Sequence, residues 1–161
     1  MVTYPTIDEL VTWKRQRVFD HVAAHLLEQG ERSTKGPTRN CMYRDGRGHA
    51  CAVGAVVPES VYDPAMEGKG ITALEWFFAA PQFSSRCYTQ FRKFLYLHAA
   101  LLIRLLQIHD EVKPLQWPEA LIDLAESMML ETRVVYAYKV RVNQASHDMP
   151  EPLKEVADVL T

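Results

Sequence analysis

This chain lacks most of the signals that name a chemistry. Its three cysteines, Cys41, Cys51 and Cys87, contain no Cys-x-x-Cys pair, the spacing by which structural zinc sites usually show themselves. No apolar leader opens it, because Thr6 to Glu9 is already polar. The longest apolar stretch, Phe94–Leu106, is broken by His98 and Arg104 and is too short and too polar to span a bilayer. Neither sign of charge dominates: 18 basic against 20 acidic residues leave a net −2, which removes any global pull towards nucleic acid. Repeats and low-complexity segments are absent too. What these absences leave is a cytoplasmic protein with reduced thiols, no membrane partner and no general nucleic-acid binding. At 161 residues, residues 1–161 are expected to form one globular domain with a real core.

What is present reads mainly as helix. Thr6–Ile7–Asp8–Glu9 has the form of a capping box. Leu10, Val11, Val18, Phe19, Val22, Leu26 and Leu27 recur at helical spacing up to Gly30, as one helix or as two broken near Trp13–Arg17. Thr72–Glu75 repeats the capping-box form before an aromatic helix. A long helix follows Ser84–Ser85, with Cys87, Phe91, Phe94, Leu95, His98, Leu101, Leu102, Leu105 and Ile108 on one broad face. Pro118 starts another, to about Leu130. Tyr136, Tyr138, Val140 and Val142 alternate with Ala137, Lys139 and Arg141, which predicts a strand over 134–142. A short helix is expected over 153–160. Cys41–Arg44 and His49–Val53 flank Asp45–Gly46–Arg47–Gly48, a hairpin signal. The fold class is therefore α+β: a mainly helical single domain with a small antiparallel hairpin, extended to three strands by 134–142.

The segment from Asn40 to Gly68 concentrates the candidate functional groups. Tyr43 offers a stacking face, and Arg44 and Arg47 offer planar forks for phosphate or carboxylate. On a strand Tyr43 and Arg44 point to opposite faces, which argues against one shared ligand. Tyr62, Asp63 and Glu67 sit on a loop stiffened by Pro64, Gly68 and Gly70. Glu67 is expected to serve the start of the helix after Thr72. His109–Asp110 ends the long helix, where a histidine suits the helix C-terminus. A zinc site of Cys41, His49 and Cys51 with His21 and His25, or a cysteine nucleophile, is weighed and set aside in favour of thiols that simply pack. Cys87 belongs to the core. The candidate ligand- or partner-binding set is Tyr43, Arg44, Arg47, Tyr62, Asp63, Glu67, His109 and Asp110, with no catalytic residue, no metal and no cofactor.

Taken together, Phe19–Asp20–His21, His25–Leu26, Gln29–Gly30, Ser33, Cys41-x-Tyr43–Arg44, Cys51–Ala52–Val53–Gly54, Pro58, Tyr62–Asp63–Pro64, Glu67–Gly68, Leu106–Gln107-x-His109–Asp110 and Trp117 resemble a family of small uncharacterised proteins of tailed bacteriophages and prophages. The resemblance spans about residues 18 to 130. It implies an accessory protein made in a bacterial cytoplasm during infection, and it carries no assigned activity. The expected function is binding without catalysis: inhibition of a bacterial host defence or regulatory protein, or sequestration of a small nucleotide. The alternatives are a metal-dependent nucleotide or phosphoester hydrolase using Asp63, Glu67, His109 and Asp110, and a structural or assembly protein.

Overall fold

The computed structural model describes residues 3–36 and 40–147. It is a mainly helical α+β fold. The capping box forms as expected: Thr6 Oγ1 accepts from the Glu9 N–H at 3.3 Å, and the Thr6 N–H donates to Glu9 Oε2 at 2.7 Å. This starts α1 (Ile7–Leu10), a single turn whose Ile7 and Leu10 are buried. The chain then breaks before α2 (Arg15–Gln29), which buries Val18, Phe19, Val22, Ala23, Leu26 and Leu27. Gly30 closes α2 at φ +66, its N–H returning to Leu26 O at 2.9 Å, a left-handed cap that favours glycine.

The longest helix, α4 (Arg86–Glu111), is about 39 Å long and packs on α1, α2, α3 (Ile71–Phe77) and α5 (Trp117–Ser127). The fully buried Trp117 locks the turn between α4 and α5. Its indole N–H donates to Ile108 O and Val112 O at 3.1 and 3.0 Å. Phe78, Phe83, Tyr88, Phe91 and Phe94 make an aromatic cluster where α3 meets α4. Among the described residues no helix is long and apolar enough to cross a membrane.

Three local expectations are corrected. Residues 133–147 form a helix, α6 (Arg133–His147), and no strand. Val135 is buried, Val134 and Tyr138 are half-buried, and Tyr136 and Val140 face out. Burial thus follows the helical period, because α6 packs on α2 and α5 and no strand edge lies there to pair with. The sheet is smaller than three strands: β1 (Thr34–Lys35) and β2 (Asn40–Cys41) pair antiparallel, and the predicted hairpin contributes a single bridge, Arg44 with Ala50. After Cys51 the run Ala52 to Pro58 is wholly buried. It coils into a 3-10 turn at Gly54–Val56, closed by the Val57 N–H donating to Gly54 O at 3.2 Å. Finally, α3 starts at Ile71 with Gly70 as its N-cap, so Thr72 and Glu75 lie inside the helix and form no capping box. Burial of Ile71 draws the start two residues towards the N-terminus, from a cap at Thr72 to one at Gly70. The helix expected over 153–160 lies outside the described residues.

Candidate functional site

The turn predicted at 45–48 is real, and Asp45 organises it. Its carboxylate accepts from the Arg47 and His49 N–H groups at 2.9 Å each and from the Arg47 guanidinium at 2.9 Å. Gly48 takes φ +87, which a Cβ would resist. Burial raises the Asp45 pKa, but these donors outweigh it and leave the carboxyl below its ordinary value. Arg47 is therefore engaged by Asp45, although its side chain is half exposed.

Next along the chain, Tyr43 and Arg44 present consecutive N–H groups to one carboxylate, Glu67, at 2.7 and 3.0 Å. The Tyr62 hydroxyl donates to the same group at 2.9 Å. Burial and this bond to Glu67 push the Tyr62 phenol up to about 12. Glu67 thus ties the loop 62–70 to the hairpin, a different role from the helix-start contact expected of it. As alternation requires, Tyr43 and Arg44 diverge. The Tyr43 hydroxyl donates to Lys69 O. The Arg44 guanidinium lies between the rings of Tyr4 and Tyr62, 3.7 and 4.2 Å from their centroids. It also donates to Val57 O at 2.6 Å and pairs with Glu59 at 2.8 Å. Asp63 stands apart, capping the turn Pro64–Met66 through the Ala65 N–H at 2.8 Å.

His109 and Asp110 join a thiol instead of this network. His109 is fully buried. Its Nδ1 lies 2.7 Å from Asp110 Oδ1 and 3.9 Å from Cys41 Sγ, and its Nε2 is 3.0 Å from the Ser33 N. Burial opposes a charge on this ring, while Asp110 and Cys41 favour one and turn its pKa upward. Yet protonating Nε2 would set two N–H groups against each other at 3.0 Å. The geometry therefore holds the neutral form, with Nδ1–H donating to Asp110 and Nε2 accepting from Ser33.

This arrangement bears on two chemistries. A nucleophile triad needs the thiol and the carboxylate on opposite imidazole nitrogens, and here both share Nδ1. The Cys41 thiol is also pushed up, by its hydrogen bond with Cys51 and by burial, so it is no thiolate at neutral pH. Cys41, His109 and Asp110 are the one group of three that could hold a metal ion among the described residues. A metal on Nδ1 would leave the proton on Nε2, facing the Ser33 N–H, so the donor set does not suit an ion.

Of the eight candidate residues, the fold brings together Tyr43, Arg44, Tyr62 and Glu67, leaves Arg47 with Asp45 and Asp63 alone, and puts His109–Asp110 with Cys41. Sequence reasoning did not place Tyr4, Ser33 or Gln29 in the candidate set, although Ser33 and Gln29 stand in the family-like pattern. Gln29 Oε1 accepts from the Ala50 N–H at 2.9 Å and its amide donates to Ala50 O at 3.1 Å. Gln29 and Ser33 act through backbone N–H groups and Tyr4 through the Arg44 guanidinium, all between partners distant in sequence, which no motif spacing carries. No family model, curated protein or solved structure matches this chain.

A second surface has the opposite character. On the outer side of α4, Tyr96, Leu97 and Ile103 are 73 %, 60 % and 41 % exposed. Arg92, Lys93 and Arg104 flank them, also exposed, and no acidic residue occurs from Arg86 to His109. Leu97 borders a depression of about 160 Å³ lined by Val11, Trp13, Phe94 and His98.

Proposed function

We propose that the protein works by binding and not by catalysis, as a phage accessory protein that docks on a bacterial host defence or regulatory protein through the outer face of α4. The observation that carries this reading is the set of exposed apolar side chains on α4: Tyr96 and Ile103, seven residues apart, share a face, and Leu97, about 100° round the helix, borders an apolar depression. Contiguous exposed apolar groups rimmed by polar ones mark protein contacts. The rim here is basic, so the complementary partner patch is apolar with an acidic rim. The polar groups of the hairpin support the same reading from the other side, since Tyr43, Arg44, Tyr62 and Glu67 spend their hydrogen bonds on one another and on backbone.

The test is capture from a bacterial lysate, followed by affinity measurement with the purified partner. Leu97→Asp should weaken binding at least about tenfold, the loss of one well-buried contact residue, while Arg47→Ala keeps it. Unchanged affinity in Leu97→Asp and Tyr96→Asp would move the interface elsewhere. A nucleotide released stoichiometrically on denaturation would replace this reading with nucleotide sequestration. Phosphoester turnover abolished by Asp110→Asn would replace it with hydrolysis.

A further inference from the structure

The depression on the outer side of α4 carries unpaired polar groups. Gln90, Phe94 and His98 are four residues apart on α4 and share one face, with Phe94 between the two polar side chains. Leu10, Val11 and Trp13 close the opposite wall. Gln90 Oε1 and His98 Nδ1 are buried with no hydrogen-bond partner among the described residues. Burial keeps the His98 ring neutral, while its bond to the Trp13 backbone favours the protonated form, so that bond runs from a ring N–H to the carbonyl. The single proton of the neutral ring is thus on Nε2, and Nδ1 is an acceptor.

Two acceptors therefore border one apolar depression with no donor to meet them, and buried polar groups in folded proteins are almost always paired. Gln90 makes no other hydrogen bond among the described residues, so its amide is free to turn towards a donor. The volume, about 160 Å³, suits one six-membered aromatic ring, which occupies a cavity of roughly 150 Å³. Lys93 lines the rim, and the exposed Arg15 acts on His98 from beside it. Among the described residues no acid lines the depression. The matching occupant is an aromatic ring that donates, does not accept and carries no positive charge. Tryptophan's indole N–H is a donor only, whereas tyrosine's hydroxyl also accepts, and a lysine or arginine would meet Lys93.

We propose that this depression receives the indole of one tryptophan of the partner protein, with its N–H donating to Gln90 Oε1 and acidic residues beside it in the partner meeting Lys93 and Arg15. The inference rests on the docking reading of the α4 face and names the side chain that anchors it. Tryptophan is among the side chains that most often dominate protein interfaces, seated in a desolvated pocket.

Amide chemical shifts of the full chain are followed as indole, and separately 1-methylindole, is added. Indole should shift Val11, Trp13 and Leu97 to saturation, and 1-methylindole, which lacks the N–H, should bind at least about fivefold more weakly. Gln90→Leu, at a half-buried position where leucine suits the helix, should abolish that difference while the ring still binds. A capped tripeptide with tryptophan between two glutamates should bind more tightly than one with two lysines. Absence of indole binding would overturn the proposal. So would equal affinity for the two indoles, a difference that persists in Gln90→Leu, or equal affinity for the two peptides. If indole fails while Leu97→Asp still weakens the partner complex, this inference alone falls; if Leu97→Asp leaves that complex intact, the docking reading falls with it.

Discussion

The hairpin region and the outer face of α4 reverse each other. Between Tyr43 and Lys69 the chain turns Tyr43, Arg44, Tyr62 and Glu67 inward and bonds them to one another and to backbone, with Arg44 Nε left without a partner. Along α4 it leaves tyrosine, leucine and isoleucine in water while the opposite side of the same helix buries Phe91, Leu95, Leu102 and Leu105. A buried polar group is tolerated when it is hydrogen-bonded, whereas large contiguous exposed apolar surface marks contact sites in proteins generally. The polar segment that stands out in the sequence is bonded within the fold, and the apolar side chains of α4 that do not stand out are the ones left in water.

The sharpest way to break the scaffold half of this contrast is Gly54→Ala. A Cβ at Gly54 would sit 2.7 Å from the Tyr43 carbonyl carbon and closer still to its oxygen. Backbone cannot move aside without disturbing the Tyr43 N–H bond to Glu67. The change should cost about 3 kcal/mol or more, the upper range of overpacking, read as a lower urea midpoint. Glu67→Gln comes next. An amide cannot accept as two carboxylate oxygens do from Tyr43 N–H, Arg44 N–H and Tyr62 OH. The expected loss is about 1.5–3 kcal/mol, measured by chemical denaturation. An unchanged midpoint would show that the carboxylate is free for a ligand.

Acid provides a milder probe. His21 and His25 have pKa values lowered by burial, so their neutral forms stabilise the fold fully above about pH 6.5, the unfolded value. That contribution is lost as pH falls through the lower folded values. Asp45, also lowered in the fold, adds stability above about pH 4 that disappears on further acidification. Melting temperature should therefore fall in two stages, and Asp45→Asn should remove the second. The smallest stability effect belongs to the other region. Leu97→Asp should change stability by no more than about 0.5 kcal/mol, as surface substitutions do, while abolishing partner capture. A large loss of stability would mean that Leu97 is part of the core after all.

Much of the helical frame was legible in the sequence because its signals are local. Thr6 and Glu9, Gly30, the apolar face of α4 and Pro118 each act within one or two turns, so spacing is enough to read them. Residues 134–142 were misread because alternating valine and tyrosine fit a strand and a helix equally well in isolation. The choice fell to α2 and α5, against which Val135 packs. The turn at 45–48 was legible for the same local reason, since Asp45 caps N–H groups two and four residues on.

By itself, then, the sequence determined where α1 and α4 begin and where α2 ends, much of their apolar faces, and that Tyr43 and Arg44 face opposite ways. Those outcomes depend on backbone dihedrals and periodicity, which neighbouring residues set. Tertiary structure alone decided that Glu67 would meet the Tyr43 and Arg44 N–H groups, that His109 would take its Nε2 bond from Ser33, and that His21 and His25 would bond the Ala55 and Ala50 carbonyls. Each of those is a hydrogen bond to backbone 23 to 76 residues away. Such partners are chosen by how the helices pack and not by any pattern along the chain.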